Sequence, residues 1–170
     1  MLIVLGGLPG TGKTAIAREL VIRSPSAYLR IDTIEQALKK VGALQDVGPA
    51  GYVLAYELAG SNLALGMTVV ADCVNPLSVT REAWRAVATR TSSGLLEVEV
   101  VCSDPVEHRR RVEGRKSDIP GLTLPTWETV IRREYEAWTT TRLVIDSALV
   151  NASEAASLIL QTSRRYAAGE

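Results

Sequence analysis

The sequence predicts an α/β fold in which helices cover both faces of a parallel β-sheet. Short apolar runs alternate with stretches of helical periodicity along the chain, which is typical of repeated β-α units. The first apolar run, residues 2–5, leads through a glycine-rich stretch into a helical pattern. The chain has 170 residues, 46% of them hydrophobic, and we expect one domain over residues 1–170.

Apolar runs predict the strands, and helical spacing with capping residues predicts the helices between them. Strands are expected at residues 2–5, 27–31, 67–71, 95–101 and 143–145. Helices are expected at residues 13–23, 33–41, 52–65, 76–87 and 153–166. A basic helix should follow Asp104, and another should run from Thr126 through Trp138. Asn75 before Pro76 has the sequence of an N-cap followed by the first helical residue.

The glycine-rich stretch after the first strand is a phosphate-binding motif. Residues 7–14, GLPGTGKT, match the pattern G-x-x-x-x-G-K-[ST] without a mismatch. Glycines let the backbone N–H groups converge on a phosphate, and the following helix N-terminus adds partial positive charge. Lys13 is expected to reach the β- and γ-phosphates, and the Thr14 hydroxyl is expected to bind Mg²⁺. The residues predicted to hold the nucleotide phosphates are Gly7, Leu8, Pro9, Gly10, Thr11, Gly12, Lys13, Thr14 and Ala15.

Two other interpretations of this stretch compete. One is an ordinary glycine-rich turn between a strand and a helix. The other is a dinucleotide fingerprint, because Gly10, Gly12 and Ala15 have its spacing and Asp32 follows about 20 residues on. The loop is too long for that fingerprint, which also assigns no role to the Lys-Thr pair.

Acidic residues follow two of the predicted strands, at the sheet edge where parallel α/β proteins bind ligands. Asp72 ends the third strand, where a carboxylate can hold Mg²⁺ directly or through water. Asp32 ends the second strand, where a carboxylate can orient or deprotonate an acceptor hydroxyl. A turn aspartate and a helix N-cap are the competing interpretations of the two residues. Arg81 is expected to be an exposed helix residue.

A dense group of basic residues follows the fourth strand. Its members are Arg109, Arg110, Arg111, Arg115 and Lys116. One charge sign at this density suits a lid over phosphates, and the loop with Pro120 and Pro125 can act as its hinge. We therefore expect a helical lid at about residues 105–125, with an exposed basic helix as the competing interpretation. Trp127 and Trp138 are expected to be packing anchors rather than a ligand cage.

Charge and composition restrict the partners. The formal net charge is zero, so no global charge favours nucleic acid or a membrane surface. Cys73 and Cys102 end apolar runs and are predicted to be buried thiols, and neither they nor His108 have metal-ligand spacing. No apolar run reaches membrane-spanning length, and no basic region precedes the first one. We therefore expect a cytoplasmic protein, as a monomer or homodimer.

These residues resemble the P-loop small-molecule kinases. That group includes shikimate and gluconate kinases, chloramphenicol phosphotransferase, zeta-type toxins and the kinase domain of polynucleotide kinase. The runs VVADCVNP at residues 69–76 and HRRRVE at residues 108–113 are similar to those of AAA-type, kinase-like ATPases. Further similarity lies in Arg81, Trp84, Tyr135 and Trp138 and in Pro125-Thr126-Trp127.

The resemblance implies a three-layer fold with a five-stranded sheet of order 2-3-1-4-5. It also implies ATP with Mg²⁺ and transfer of the γ-phosphate to a hydroxyl. By position, Asp32 would be the base, Arg111 and Arg115 the lid arginines, and residues 146–148 would lie near adenine. Several relatives have arginine three residues after the base, whereas this chain has Glu35. That departure argues against a strongly anionic acceptor, polynucleotide above all.

Two functions therefore stand at the level of sequence. The leading hypothesis is an ATP-dependent kinase of a small hydroxylated molecule, with Lys13, Asp32, Arg111 and Arg115 as its catalytic residues and Thr14 and Asp72 as its metal site. The alternative is a nucleotide switch or toxin-like regulator whose ligand is a protein.

Overall fold

The computed structural model describes residues 1–42 and 47–168, so residues 43–46 and 169–170 of the predicted domain lie outside the described part. Its centre is a five-stranded parallel sheet in the order β2-β3-β1-β4-β5. The strands are β1 (Leu2–Gly6), β2 (Ser26–Arg30), β3 (Thr68–Asp72), β4 (Leu95–Val101) and β5 (Leu143–Asp146). The predicted fold class and strand order are confirmed, and each strand end lies within one residue of its prediction.

Helices cover both faces of the sheet, as predicted. They are α1 (Lys13–Arg23), α2 (Ile31–Lys40), α3 (Ala50–Ala64), α4 (Ser78–Arg90), α5 (Pro105–Gly114), α6 (Trp127–Ile131) and α7 (Ala152–Ala168). Side chains of β1 alternate between two apolar cores, because successive residues of a strand point to opposite faces. Ile3 and Leu5 join the core with α1 and α7, and Leu2 and Val4 join the core with α3 and α4. The central strand β1 is buried along its whole length because both faces are covered.

Two helix starts differ from the prediction. Helix α4 begins at Ser78, so Asn75 is not its N-cap; the backbone of Asn75 has a φ of 50° instead. Its N–H donates to the Tyr52 hydroxyl at 2.9 Å, which keeps the residue on the phosphate-loop side of the helix. Helix α2 begins at Ile31, so Asp32 lies in its first turn and does not cap it. The N-cap interpretation of Asp32 is therefore wrong.

The helix predicted through Trp138 is also wrong, because α6 ends at Ile131 and an irregular segment, residues 132–142, follows. Arg81 explains this segment. Predicted to be exposed, it is 2% exposed and binds four main-chain carbonyls, two of which belong to Glu136 and Ala137. Its guanidinium also lies 4.2 Å from the ring centroid of Trp138. Helical residues would have used those carbonyls within their own helix.

Only one of the two cysteines is buried as predicted. Cys73 is buried, whereas Cys102 is partly exposed.

Across residues 1–42 and 47–168, none of the helices has the length and apolar character needed to cross a membrane.

Replacing Arg81 tests its role in holding the irregular segment. We expect Arg81→Met to lower the free energy of unfolding by about 2–4 kcal/mol, because several buried carbonyls lose their donor. Arg90→Met is the matched control on the same helix, since Arg90 is exposed and pairs with Glu57. It should change stability by less than about 1 kcal/mol. If urea unfolding shows the same loss of unfolding free energy in both variants, Arg81 does not hold the irregular segment.

Candidate active site

The phosphate-binding motif forms the loop between β1 and α1, and its glycines are required by space and by backbone conformation. Gly7, Gly10 and Gly12 have φ values of +141°, +87° and +93°, which side-chain-bearing residues rarely adopt. A Cβ on Gly7 would lie 2.2 Å from the Val100 carbonyl oxygen, and one on Gly10 would lie 2.5 Å from Cγ2 of Val112. The loop therefore packs against β4 and α5 at distances only glycine permits.

Lys13 is folded into this loop. Its side chain is buried, and Nζ donates a hydrogen bond to the Leu8 carbonyl oxygen at 2.8 Å. Burial lowers the pKa of Lys13, and the negative charges of Asp72 and Asp32 oppose that effect. The ammonium group thus lies against a loop carbonyl, close enough to the two predicted carboxylates for their charges to interact.

The structure brings Thr14 and Asp72 together. The Thr14 hydroxyl donates to Oδ2 of Asp72 at 2.7 Å, and the Tyr28 hydroxyl donates to the same oxygen at 2.9 Å. Burial and the neighbouring Asp72 raise the pKa of Tyr28, so its hydroxyl stays a donor. A hydroxyl and a carboxylate side by side fit the oxygen-donor preference of Mg²⁺, which keeps several waters and binds few protein ligands. Tyr28 was not anticipated, because nothing in its local sequence marks it.

Asp32 lies in the first turn of α2, and its side chain lines the same cleft as Lys13 and Asp72. Arg30 links the carboxylates: its Nη2 lies 3.7 Å from Oδ2 of Asp32 and its Nε lies 3.9 Å from Oδ2 of Asp72. Its side chain is only 10% exposed. Sequence reasoning missed Arg30, although its position at the end of a strand, next to Asp32, was a usable signal.

The basic helix α5 begins as predicted, with the Asp104 carboxylate accepting from the Val106 and Glu107 backbone amides. The arginines of this helix differ in exposure and in their partners. Arg109 and Arg110 are exposed and pair with glutamates of their own helix. Arg111 pairs with Glu107 and also reaches the loop after β5, donating to Oγ and to the backbone oxygen of Ser147 at 2.9 Å and 3.1 Å.

The two arginines predicted to face the phosphates are placed at the cleft. Arg111 lies beside the phosphate loop, with its Nη1 4.0 Å from where a Cβ on Gly12 would be. Arg115 follows the last turn of α5 and lines the cleft, and its charge lowers the pKa of Lys13 slightly. Glu107 holds Arg110 and Arg111, whose hydrogen bonds lower the pKa of Glu107 to about 2.

His108 attaches α5 to the phosphate loop. It is buried, and its Nε2 lies 2.8 Å from the Pro9 carbonyl oxygen, which requires the Nε2–H tautomer. Its ring meets Trp127 edge-on, with the centroids 5.1 Å apart. The sequence analysis assigned no role to His108, because the contact joins residues 99 positions apart. Trp127 packs as an anchor, as predicted.

The loop after α5, residues 115–125, crosses from the phosphate loop to the second strand. Oδ1 and Oδ2 of Asp118 accept from Nη1 of Arg30 at 3.0 Å and 2.8 Å, and Oδ2 also accepts from Arg18. These arginines hold the pKa of Asp118 below its ordinary value, with the Arg30 hydrogen bond as the main cause. The segment from α5 to this loop is thus attached at two points: His108 of α5 contacts the phosphate loop, and Asp118 of the loop pairs with Arg30 of β2 and Arg18 of α1.

These elements enclose a cleft of about 1020 Å³. One half is formed by the phosphate loop, Asp72, Arg111 and Arg115. The other half is formed by α2, α3 and the start of α4, with Asp32 and Glu35 at the boundary. The volume is at the upper end of the range for small-molecule sites, about 300–1000 Å³, so two ligands can lie side by side.

Comparison with known proteins identifies the class. Residues 2–134 match the model of a family described as an AAA domain, so the chain belongs to that family. A search of curated proteins found no match. The fold is that of the P-loop kinases, as the solved structures show.

Three of those structures illustrate the likeness. A candidate kinase from Chloroflexus aurantiacus is 18% identical with a TM-score of 0.73, covering 97% of both chains. The APS kinase of Mycobacterium tuberculosis, solved with AMPPNP and APS, is 17% identical with a TM-score of 0.71, covering 96% of both. A gluconokinase from Sinorhizobium meliloti is 18% identical with a TM-score of 0.66, covering 98% of this chain and 93% of that one. At these identities the likeness establishes the fold.

Removing the Asp118 carboxylate tests the attachment of the loop. In Asp118→Asn, we expect the amides of residues 117–125 to exchange hydrogen faster, because two arginines lose their ionic partner. The amides around His108 should keep their exchange rates. Glu113→Gln is the control, since Glu113 is exposed and pairs within α5. Unchanged exchange in Asp118→Asn, measured by mass spectrometry, would mean that the loop does not depend on this contact.

Proposed function

We propose that this protein is an ATP-dependent phosphotransferase that moves the γ-phosphate of ATP to a hydroxyl of a small molecule. The observation that carries the proposal is the shared cleft: the phosphate loop and the Asp32 carboxylate line one space with room for two ligands. The structural neighbour solved with AMPPNP and APS holds a nucleotide analogue together with a second molecule on the same fold.

On the nucleotide side, the loop amides and Lys13 hold the phosphates and offset their charge. Thr14 and Asp72 are proposed as the Mg²⁺ ligands, and bound Mg²⁺ would neutralise charge on the phosphate oxygens. Tyr28 orients the Asp72 carboxylate, because its hydroxyl donates to Oδ2. Arg111 and Arg115 are proposed to neutralise charge that develops on the transferring phosphoryl group.

On the acceptor side, Asp32 is proposed to orient the acceptor hydroxyl and take its proton. Two features suit it to that role: it lines the cleft, and it lies near enough to Lys13 for the two charges to interact. Nη2 of Arg30 lies 3.7 Å from Oδ2 of Asp32, so the two side chains form an ion pair at the edge of the cleft. Residues 105–125 are proposed to be the lid over both ligands.

The alternative is a nucleotide-dependent switch. A switch must bind ATP, but it needs no second ligand space next to the phosphate loop and no carboxylate there. The cleft of about 1020 Å³ with Asp32 inside it therefore favours the kinase.

Substituting Asp32 distinguishes the two functions. We expect Asp32→Asn to bind ATP normally and to lose transfer by about 10²–10⁴-fold, the range for a missing general base. Its stability should change by less than about 1 kcal/mol, since only a first-turn charge is lost. Transfer is measured as ATP consumption with a fractionated metabolite extract, with the product detected by ³¹P NMR.

Two further variants serve as controls in that assay. Glu82→Gln removes an exposed carboxylate of α4 that does not line the cleft and should keep most of the activity. Lys13→Ala should weaken ATP binding by about 1–3 kcal/mol and abolish turnover. A fully active Asp32→Asn would refute its role as base, and a wild-type rate that no fraction raises would favour the switch.

A further inference from the structure

We propose that the acceptor is an alcohol with an apolar body, uncharged or cationic, and not a sugar, polyol or anionic metabolite. This inference rests on the proposed function, because it describes the second half of the same cleft. It follows from what the wall of that half presents to a ligand: apolar carbon from α3 and α4, and carboxylates from α2.

The hydroxyl groups that α3 and α4 bring to this wall already have partners within the protein, and that of Tyr52 also contacts the Cys73 thiol. The Tyr52 hydroxyl accepts from the Asn75 N–H at 2.9 Å. The Tyr56 hydroxyl donates to the Thr80 carbonyl oxygen at 3.2 Å, and the Thr80 hydroxyl donates to the Leu77 carbonyl oxygen at 2.8 Å. Because these groups are engaged, the tyrosines present mainly their rings and Thr80 mainly its methyl group to the cleft.

Aliphatic side chains complete the wall. Val53 of α3 and Val79 of α4 line the cleft and are 52% and 63% exposed. Pro49, Leu77 and Ala83 lie along the same half. Two large apolar side chains left open to water at a ligand site gain free energy when an apolar surface covers them. A ligand with many hydroxyl groups would lose water there without replacing its hydrogen bonds.

The charges of the acceptor half point away from an anion. Asp32 and Glu35 lie one turn apart on α2, and the half-buried Glu35 side chain packs on Gly51, its Cγ 2.4 Å from where a Cβ would be. Burial and the nearby Asp32 raise the pKa of Glu35, and the charges of Lys39 and Arg133 oppose that effect. An anionic acceptor would have to lie beside these two carboxylates. Lys39 and Arg133 also line this half, and both side chains are exposed to water.

The acceptors of two structural neighbours therefore do not fit this wall. Gluconate, implied by the name of the gluconokinase, is a polyhydroxy acid, and APS is an anion. A molecule that places one hydroxyl at Asp32 and an aromatic or aliphatic body against Val53 and Val79 uses both features of the acceptor half.

A fluorescent probe tests the wall directly. N-phenyl-1-naphthylamine is uncharged and apolar, and its emission rises on transfer from water to an apolar site. Titrated against the full chain with ADP present, it should bind, and Val53→Asp and Val79→Asp should each weaken binding by about tenfold or more. Leu58→Asp is the matched control, because Leu58 is 46% exposed on α3 but does not line the cleft.

Competition then tests the ligand class. Phenylglycinol, an aromatic amino alcohol, should displace the probe from the wild-type chain, and gluconate at equal concentration should not. Equal probe affinity in the wild type and both valine variants, or displacement by gluconate, would overturn the inference. Because Val53 and Val79 are exposed, both variants should melt as the wild type does, and ATP titration of the same samples reports the proposed function separately. Loss of ATP binding with an intact probe response would refute the kinase but not the apolar wall.

Discussion

The hydrogen bond between the Thr14 hydroxyl and the Asp72 carboxylate joins the two strand ends on which the site is built. Parallel pairing of β1 with β3 places Leu5 opposite Asp72, so the phosphate loop and the carboxylate emerge at the same edge of the sheet. The pairing of β2 with β3 sets Arg30 opposite Asp72 and brings Asp32 into the same cleft. The proposed metal ligands depend on this register, since a shift by one residue would turn Asp72 to the other face.

Features that depend on local sequence were predictable. The phosphate loop, the strand limits and the Asp104 cap follow from motifs, apolar runs and capping chemistry within a few residues. The meeting of Asp32, Asp72 and the loop was predictable too, because parallel topology brings strand ends together whatever the details of packing. The mistaken N-cap at Asn75 shows the limit of such reasoning. The residue has the right type and the right neighbour, but tertiary contacts to Tyr52 and the Arg81 side chain hold it outside the helix.

Features that depend on distant contacts were not predictable. Tyr28, Arg30 and His108 act through partners 44, 88 and 99 positions away, and no local pattern identifies those partners. The same contacts give the proposed lid two attachments of different strength. His108 makes a buried hydrogen bond among packed side chains. Asp118 forms exposed ion pairs, which salt and solvent weaken. The firmer contact thus lies on the phosphate loop, and the weaker one lies on the side that we propose for the acceptor.

The most direct test of the account is whether one Mg²⁺ ion couples Thr14 and Asp72 to ATP. ATP affinity is measured by calorimetry with and without Mg²⁺ for the wild type, Thr14→Ala, Asp72→Asn and the double variant. The account predicts that Mg²⁺ strengthens ATP binding by about tenfold or more in the wild type and that Asp72→Asn removes the gain. The double variant should then bind ATP with Mg²⁺ no more weakly than the weaker-binding single variant, because both residues serve one ion. Two results would contradict the account: Mg²⁺ strengthens ATP binding as much in Asp72→Asn as in the wild type, or the losses of ATP affinity in the two single variants add up in the double variant.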